Sequence, residues 1–229
     1  VPVAEYIAAI MADGPKAFWK LDDASGLPQD SSGNGLHLDT ATGAAVTYQV
    51  PGPFGNFAIE FPATSTFTKA TQVSTNVDNW TLECWFYLIS IGANGRNIFS
   101  NDNTGVAGWG MQIDLTQKWE AFRDSVGLTP SRNALSVATW YQLVVRRVTS
   151  WQTFVNGVLD LDPAGAGTPA TPNGPVQVHA GGSMSARMCM ISIFEAGLTD
   201  AQILTHYQAA NKGSVGPVGG SRHAAFGPF

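Results

Sequence analysis

Apolar and polar residues alternate in short runs along most of this chain. In Trp140–Val148, Tyr141, Leu143, Val145 and Arg147 share one face, and Trp140, Gln142, Val144, Arg146 and Val148 share the other. A period of two is that of a pleated strand. Thr149-Ser150 offers a turn, and Trp151–Val155 is the return strand. Asn156-Gly157 then predicts a tight turn at positive φ, leading into further strand. The same reading predicts strands over Ala17–Leu21, Val46–Val50, Phe57–Phe61, Arg96–Ser100, Trp109–Leu115, Lys118–Arg123, Val176–His179 and Met188–Phe194. Trp80–Ile89, WTLECWFYLI, is apolar throughout and reads as a strand buried on both faces. Only the two ends show helical spacing. Val3, Ile7, Ile10 and Met11 predict a helix that stops at Asp13-Gly14-Pro15. Near the other end, Thr199 with Gln202 forms a capping box, and Leu198 can staple onto Ile203. That helix runs to about Ala210 with Ile203, Tyr207 and Ala210 inward and His206 on its surface. The chain is therefore all-β, a two-sheet antiparallel sandwich over residues 1–210 with a short helix at each end. Residues 211–229 form a separate Gly/Pro-rich arm.

A leading tryptophan, strand, turn, strand and "VNG" resembles the signature hairpin of the laminin G-like jelly rolls, members of the concanavalin A-like lectin and glucanase superfamily. The entry segment, ADGPKAFWKLDD followed by DSSGNG, resembles the start of that family. Trp80–Ile89 is similar to its "FTLEAWV" strand, with Glu83 and Trp85 at the matching places. ISIFEAGLTDAQI with HYQAA resembles the closing strand and helix. The resemblance spans roughly residues 5–210 and implies a jelly roll. It also implies a structural Ca²⁺ where the N-terminal acidic segment meets the closing strand. Asp22, Asp23 and Asp30 match the first part of that site. Met188-Cys189 stands where relatives carry Ile-Asp, which replaces a hard carboxylate ligand by a soft thiol. Read without the family, Asp30–Gly35 is a turn whose Asp and Asn side chains bond nearby backbone.

Composition narrows the partners. Charged residues are only 13%, the net charge is −5, and no basic cluster exceeds Arg146-Arg147. Duplex nucleic acid and an anionic membrane surface are excluded on that ground. The longest apolar run, Cys84–Ile91, is too short to span a membrane. No basic stretch followed by a long apolar one opens the chain, so no signal peptide is expected. Cys84 and Cys189 lie in apolar strands and read as buried free thiols.

Glycoside hydrolysis needs an acid and a nucleophile about 5 Å apart on one face in a retaining enzyme. None of Glu5, Glu60, Glu83, Glu120 or Glu195 begins a Glu-x-Asp-x-x-Glu strand, and Asp114 with Glu120 is the nearest imitation. No G-x-S-x-G elbow exists, and the four histidines lack zinc spacing. No catalytic residue is assigned, and the chain is expected not to be an enzyme. Trp19, Trp80, Trp85 and Trp140 match core positions of the family. Trp109, Trp119 and Trp151, with Arg96, Asn101, Asp102, Asn103 and Asp114, are the candidates to rim a glycan or protein site, since indole rings stack on sugar faces.

The arm NKGSVGPVGGSRHAAFGPF carries five glycines and two prolines and ends in Phe226 and Phe229, with Arg222 nearby. Its glycines supply reach and its rings supply anchor area for attachment to a larger assembly. The expected role is a non-catalytic structural or adhesion protein of a bacteriophage virion, in the tail or on the capsid surface. Other virion proteins or a cell-surface glycan are the partners, and a homo-oligomer is compatible. The alternatives are a secreted carbohydrate-binding module and, third, a glycoside hydrolase.

Overall fold

The computed structural model describes residues 2–93, 96–102, 107–124, 126–162, 167–180 and 182–211. Asn103 and the arm residues Arg222, Phe226 and Phe229 lie outside the described residues, as do the side chains of Arg96 and Asp102.

In chain order the elements are α1 (Pro2–Ala12), β1 (Ala17–Trp19), β2 (Thr40–Thr42), β3 (Thr47–Pro51), β4 (Phe57–Phe61), β5 (Thr66–Lys69) and β6 (Trp80–Ile91). They continue with β7 (Arg96–Asp102), β8 (Gly108–Ile113), β9 (Trp119–Arg123), β10 (Val126–Gly127), β11 (Trp140–Arg147) and β12 (Trp151–Val155). Last come β13 (Val158–Leu161), β14 (Val176–Ala180), β15 (Met184–Phe194) and α2 (Asp200–Asn211). Among the described residues these strands form two antiparallel sheets. One has eight strands in the order β13-β12-β11-β6-β15-β4-β3, with β1 also on β15; the other has seven, β10-β9-β8-β7-β14-β5-β2. This is a jelly-roll sandwich.

The predicted hairpin forms. Asn156 and Gly157 both take positive φ, 53° and 77°, the geometry of the tight turn that matches strand twist. A Cβ on Gly157 would lie 2.9 Å from Cβ of Tyr207, so glycine is also what lets α2 pack over the turn. Both halves of the capping box form: the Gln202 amide N–H donates to Thr199 Oγ1 at 3.2 Å, and the Thr199 N–H donates to Gln202 Oε1 at 2.8 Å.

Strand β6 explains its own apolar run. Trp80, Leu82, Cys84 and Phe86 face the second sheet, while Thr81, Glu83 and Trp85 lie on the opposite face, beneath the helices. The ring of Trp80 stacks on Trp109 of β8 across the sandwich, with centroids 3.9 Å apart. On the helix side, Tyr6 meets Trp85 edge-on and Tyr207 stacks on it. Cys84 and Cys189 are buried free thiols, and burial pushes both well above the ordinary thiol range.

Four details differ from expectation. In α1 the buried residues are Tyr6 and Ile10, and Met11 is turned out to solvent. Strand β15 begins four residues before Met188, because Met184–Arg187 pair with β6. The short strands β2 and β5 carry no clear alternation and form by pairing with each other and with β14. His206 is not on the surface but fully buried. Its Nδ1 lies 2.8 Å from Glu83 Oε2 and its Nε2 lies 2.9 Å from Asp13 Oδ2. Glu83 Oε1 also accepts from Tyr6 Oη at 2.7 Å and from Gln142 Nε2 at 2.8 Å. Gln202 Nε2 donates to the other oxygen of Asp13. One network therefore joins both helices to β6 and β11.

A histidine with a carboxylate at each nitrogen is held as the doubly protonated ring. Burial acts against that charge, but Glu83 and Asp13 together raise the pKa of His206 above its ordinary value. A raised folded-state pKa stabilises fully below the unfolded value, about 6.5, and the contribution is lost as pH rises through the folded value. We expect the melting temperature to fall as pH rises from about 6.5 through the folded-state value, and the fall to flatten in His206→Gln. Parallel profiles for the two proteins would refute this.

Candidate functional site

The residues expected to rim a site are mostly spent inside the fold. Trp109, Trp119 and Trp151 are fully buried, so these rings are core and not a stacking platform. Each sits at an inward position of its strand. Trp109 Nε1 donates to the Asn76 carbonyl, and Trp151 Nε1 to the Gly167 carbonyl. Asn101 is also fully buried, with Nδ2 on the Ser74 carbonyl. Asp114 closes the turn between β8 and β9: its Oδ1 accepts from Thr116 N, Thr116 Oγ1 and Lys118 N. The pair Arg146 and Arg147 is buried as well. Arg146 bonds Asp200 at the start of α2, and Arg147 bonds Asp78, so the pair anchors loops and forms no basic patch.

The acidic segment does run beside β15, where the Met190 N–H donates to the Lys20 carbonyl. Its carboxylates do not fit Ca²⁺. Both oxygens of Asp30 are filled by hydrogen-bond donors: Oδ1 by the amides of Phe18 and Ser32, Oδ2 by the Leu36 amide and Ser32 Oγ. Burial works the other way, yet these donors hold the Asp30 carboxyl below the usual range. Asp22 pairs with Lys20 at 2.9 Å. Burial, with Asp22 close by, pushes the Asp23 carboxyl up. Cys189, at the family's ligand position, is a buried thiol. The DSSGNG stretch thus acts as a side-chain-braced turn.

The outer side of the seven-stranded sheet carries a further set of polar residues. Because Trp109, Met111 and Ile113 point into the sandwich, Gly110 and Gln112 point out of it. Register then places Glu120 beside Gln112, Phe122 and Ser100 on either side of Gly110, Gln177 beside Ser100, and Thr68 beside Gln177. A Cβ at Gly110 would fall 2.6 Å from the Phe122 ring, so glycine lets that ring lie flat across β8. Glu120 Oε1 accepts from Gln112 Nε2 at 2.7 Å. Burial raises the Glu120 carboxyl above its usual range, with the Gln112 bond opposing and the Asp114 charge assisting.

On this face Phe122 and Ser100 are buried and Glu120 is only 8% exposed, so the half-buried Gln112 and Gln177 amides and the Thr68 hydroxyl are the groups open to a ligand. They can bond a polyhydroxyl ligand or a protein surface. Asp114, whose charge acts on Glu120, has its Oδ1 taken by its own turn. The sequence hid this set because none of its members stands out alone. Alternation on β8 and β9 was the available signal.

Residues 62–204, more than half of the chain, match the laminin G profile of the concanavalin A-like lectin/glucanase superfamily. The chain belongs to this superfamily. No curated protein matches its sequence. Among solved structures, this laminin G-like chain is similar to the binding domain of Paraclostridial Mosquitocidal Protein 1, at 12% identity and a TM-score of 0.69 over 86% of this chain and 52% of that one. It is similar to the Botulinum neurotoxin serotype D binding domain, at 13% identity and a TM-score of 0.63 over 89% and 52%. It also resembles Trypanosoma rangeli sialidase, at 12% identity and a TM-score of 0.65 over 92% of this chain and 38% of the sialidase. The chain thus spans between about a third and about half of the structures it matches, and at these identities the likeness is one of fold.

Proposed function

We propose that this laminin G-like domain is a non-catalytic binding module that recognises a glycan or a protein through the outer face of its seven-stranded sheet. The observation that carries it is the row of half-buried polar groups on that face, Gln112, Gln177 and Thr68, with the largely buried Glu120 carboxyl bonded to Gln112. The toxin binding domains with the same fold support a binding role by analogy. A glycan array should give a saturable ligand for the full chain. Gln112→Ala, at a half-buried position of the same face, should weaken it about tenfold, equivalent to ~1.4 kcal/mol, in a protein that still melts cooperatively. Reducing-end release that is lost in Glu120→Gln would overturn the non-catalytic reading.

The setting proposed is the surface of a bacteriophage virion, with the module as a tail or capsid-surface adhesin. The sequence of residues 211–229 motivates it: glycines for reach, Phe226 and Phe229 as anchors. Deleting residues 212–229 should leave the melting temperature unchanged and abolish incorporation into particles. Assembly of the truncated protein at the normal level would refute this attachment, and secretion by the producing cell would favour a secreted carbohydrate-binding module.

A further inference from the structure

A small cavity lies on the flank of the sandwich, away from the outer face just described. The segment 128–139 leaves β10 and continues along β9, with Ser131 N–H on the Trp119 carbonyl and Leu135 N–H on the Gln117 carbonyl. It then crosses to the other sheet, where the Ala138 N–H donates to the Leu88 carbonyl of β6. Between this strap and strands β11 to β13 is a cavity of ≈ 160 Å³. That is room for about five waters at ~30 Å³ each, the scale of one sugar ring and not of a chain.

Its lining is amphipathic. Ala134, Leu135 and Val155 form the apolar walls, and Asn133, Tyr141 and Asp160 supply the polar groups. The Asp160 side chain is only 12% exposed. Its Oδ2 accepts from the Arg132 amide at 3.3 Å, whereas Oδ1 is 3.9 Å from the nearest cationic atom, Arg132 Nε, and beyond bonding length. Tyr141 Oη accepts from the Ser136 amide at 3.1 Å and still has its own proton to give. Ser131 Oγ, by contrast, is committed to the Trp119 amide and the Asn133 carbonyl. The cavity therefore combines an unfilled carboxylate acceptor, an unspent phenol donor and an amide over apolar walls. Arg132 beside Asp160 disfavours a cation as the occupant. Neighbouring hydroxyls of a pyranose need this combination, one hydroxyl donating to the carboxylate and another accepting from the phenol.

We propose that this cavity is a subsite for a single neutral hexose unit, and so gives the binding module a second point of contact on a glycan. The inference rests on the binding reading above. The test is a titration of the full chain by amide-resolved NMR with the methyl glycosides of glucose, galactose and mannose. At least one should shift the amides of Asn133, Ala134, Tyr141 and Asp160 with millimolar affinity. Tyr141→Phe should weaken it about tenfold, and Ala134→Trp, which fills the cavity, should abolish it in a protein that melts normally. Absence of shifts with all three glycosides overturns the subsite, as does binding unchanged in Ala134→Trp. An array ligand that survives Ala134→Trp but is lost in Gln112→Ala also overturns the subsite and leaves the binding module standing.

Discussion

Replacing Glu83 by alanine should cost about 3–5 kcal/mol of stability, the range for breaking a buried ion pair by removing one partner. Glu83 is fully buried and holds three partners at once: the Tyr6 hydroxyl, the Gln142 amide and the His206 ring. Removal leaves each of them without its acceptor in a site that water does not reach, and the His206 charge then faces Asp13 alone. Two of the three partners sit on the helices, so the loss also loosens α1 and α2 from the eight-stranded sheet. Glu83→Gln keeps a side-chain acceptor of the same shape and should cost less. Urea titration of both variants gives the comparison. A Glu83→Ala protein within about 1 kcal/mol of wild type would show that the network contributes little beyond packing.

Trp109→Ala should also be destabilising by about 3–5 kcal/mol, the usual range for deleting a buried aromatic. The indole lies on Trp80, with planes inclined by 13°, and reaches Phe99 at 6.5 Å. It therefore bridges the two sheets at the centre of the core. Its removal leaves a void between rings that have little freedom to close it, and leaves the Asn76 carbonyl without its donor. At roughly 2–4 °C per kcal/mol for a domain of this size, thermal melting resolves the effect easily. The outcome also separates two roles. A residue that stacks on a sugar would lose ligand affinity with its melting temperature unchanged; a core residue loses stability first.

The amino-acid sequence by itself determined the class of fold and most of its elements. Period-two alternation over Tyr141–Arg147, the Asn156-Gly157 turn and the Thr199–Gln202 capping box are local signals, and local geometry satisfies them. Trp80–Ile89 was legible as a doubly buried strand for the same reason, and β6 extends it to Ile91. Tertiary structure alone decided which side of the protein each polar residue serves. His206 looks like a surface residue on its helix and becomes the centre of a buried network, because Glu83 and Asp13, 123 and 193 residues away, converge on it. Trp109, Trp119 and Trp151 carry no local mark that separates a core ring from a binding ring; the facing sheet makes the difference. The Gln112–Glu120 pair and the Asp160 cavity likewise arise from strand register and from a strap that crosses between sheets. Propensity and alternation act over a few residues, whereas burial of a polar group is settled by neighbours that the chain brings in from far away.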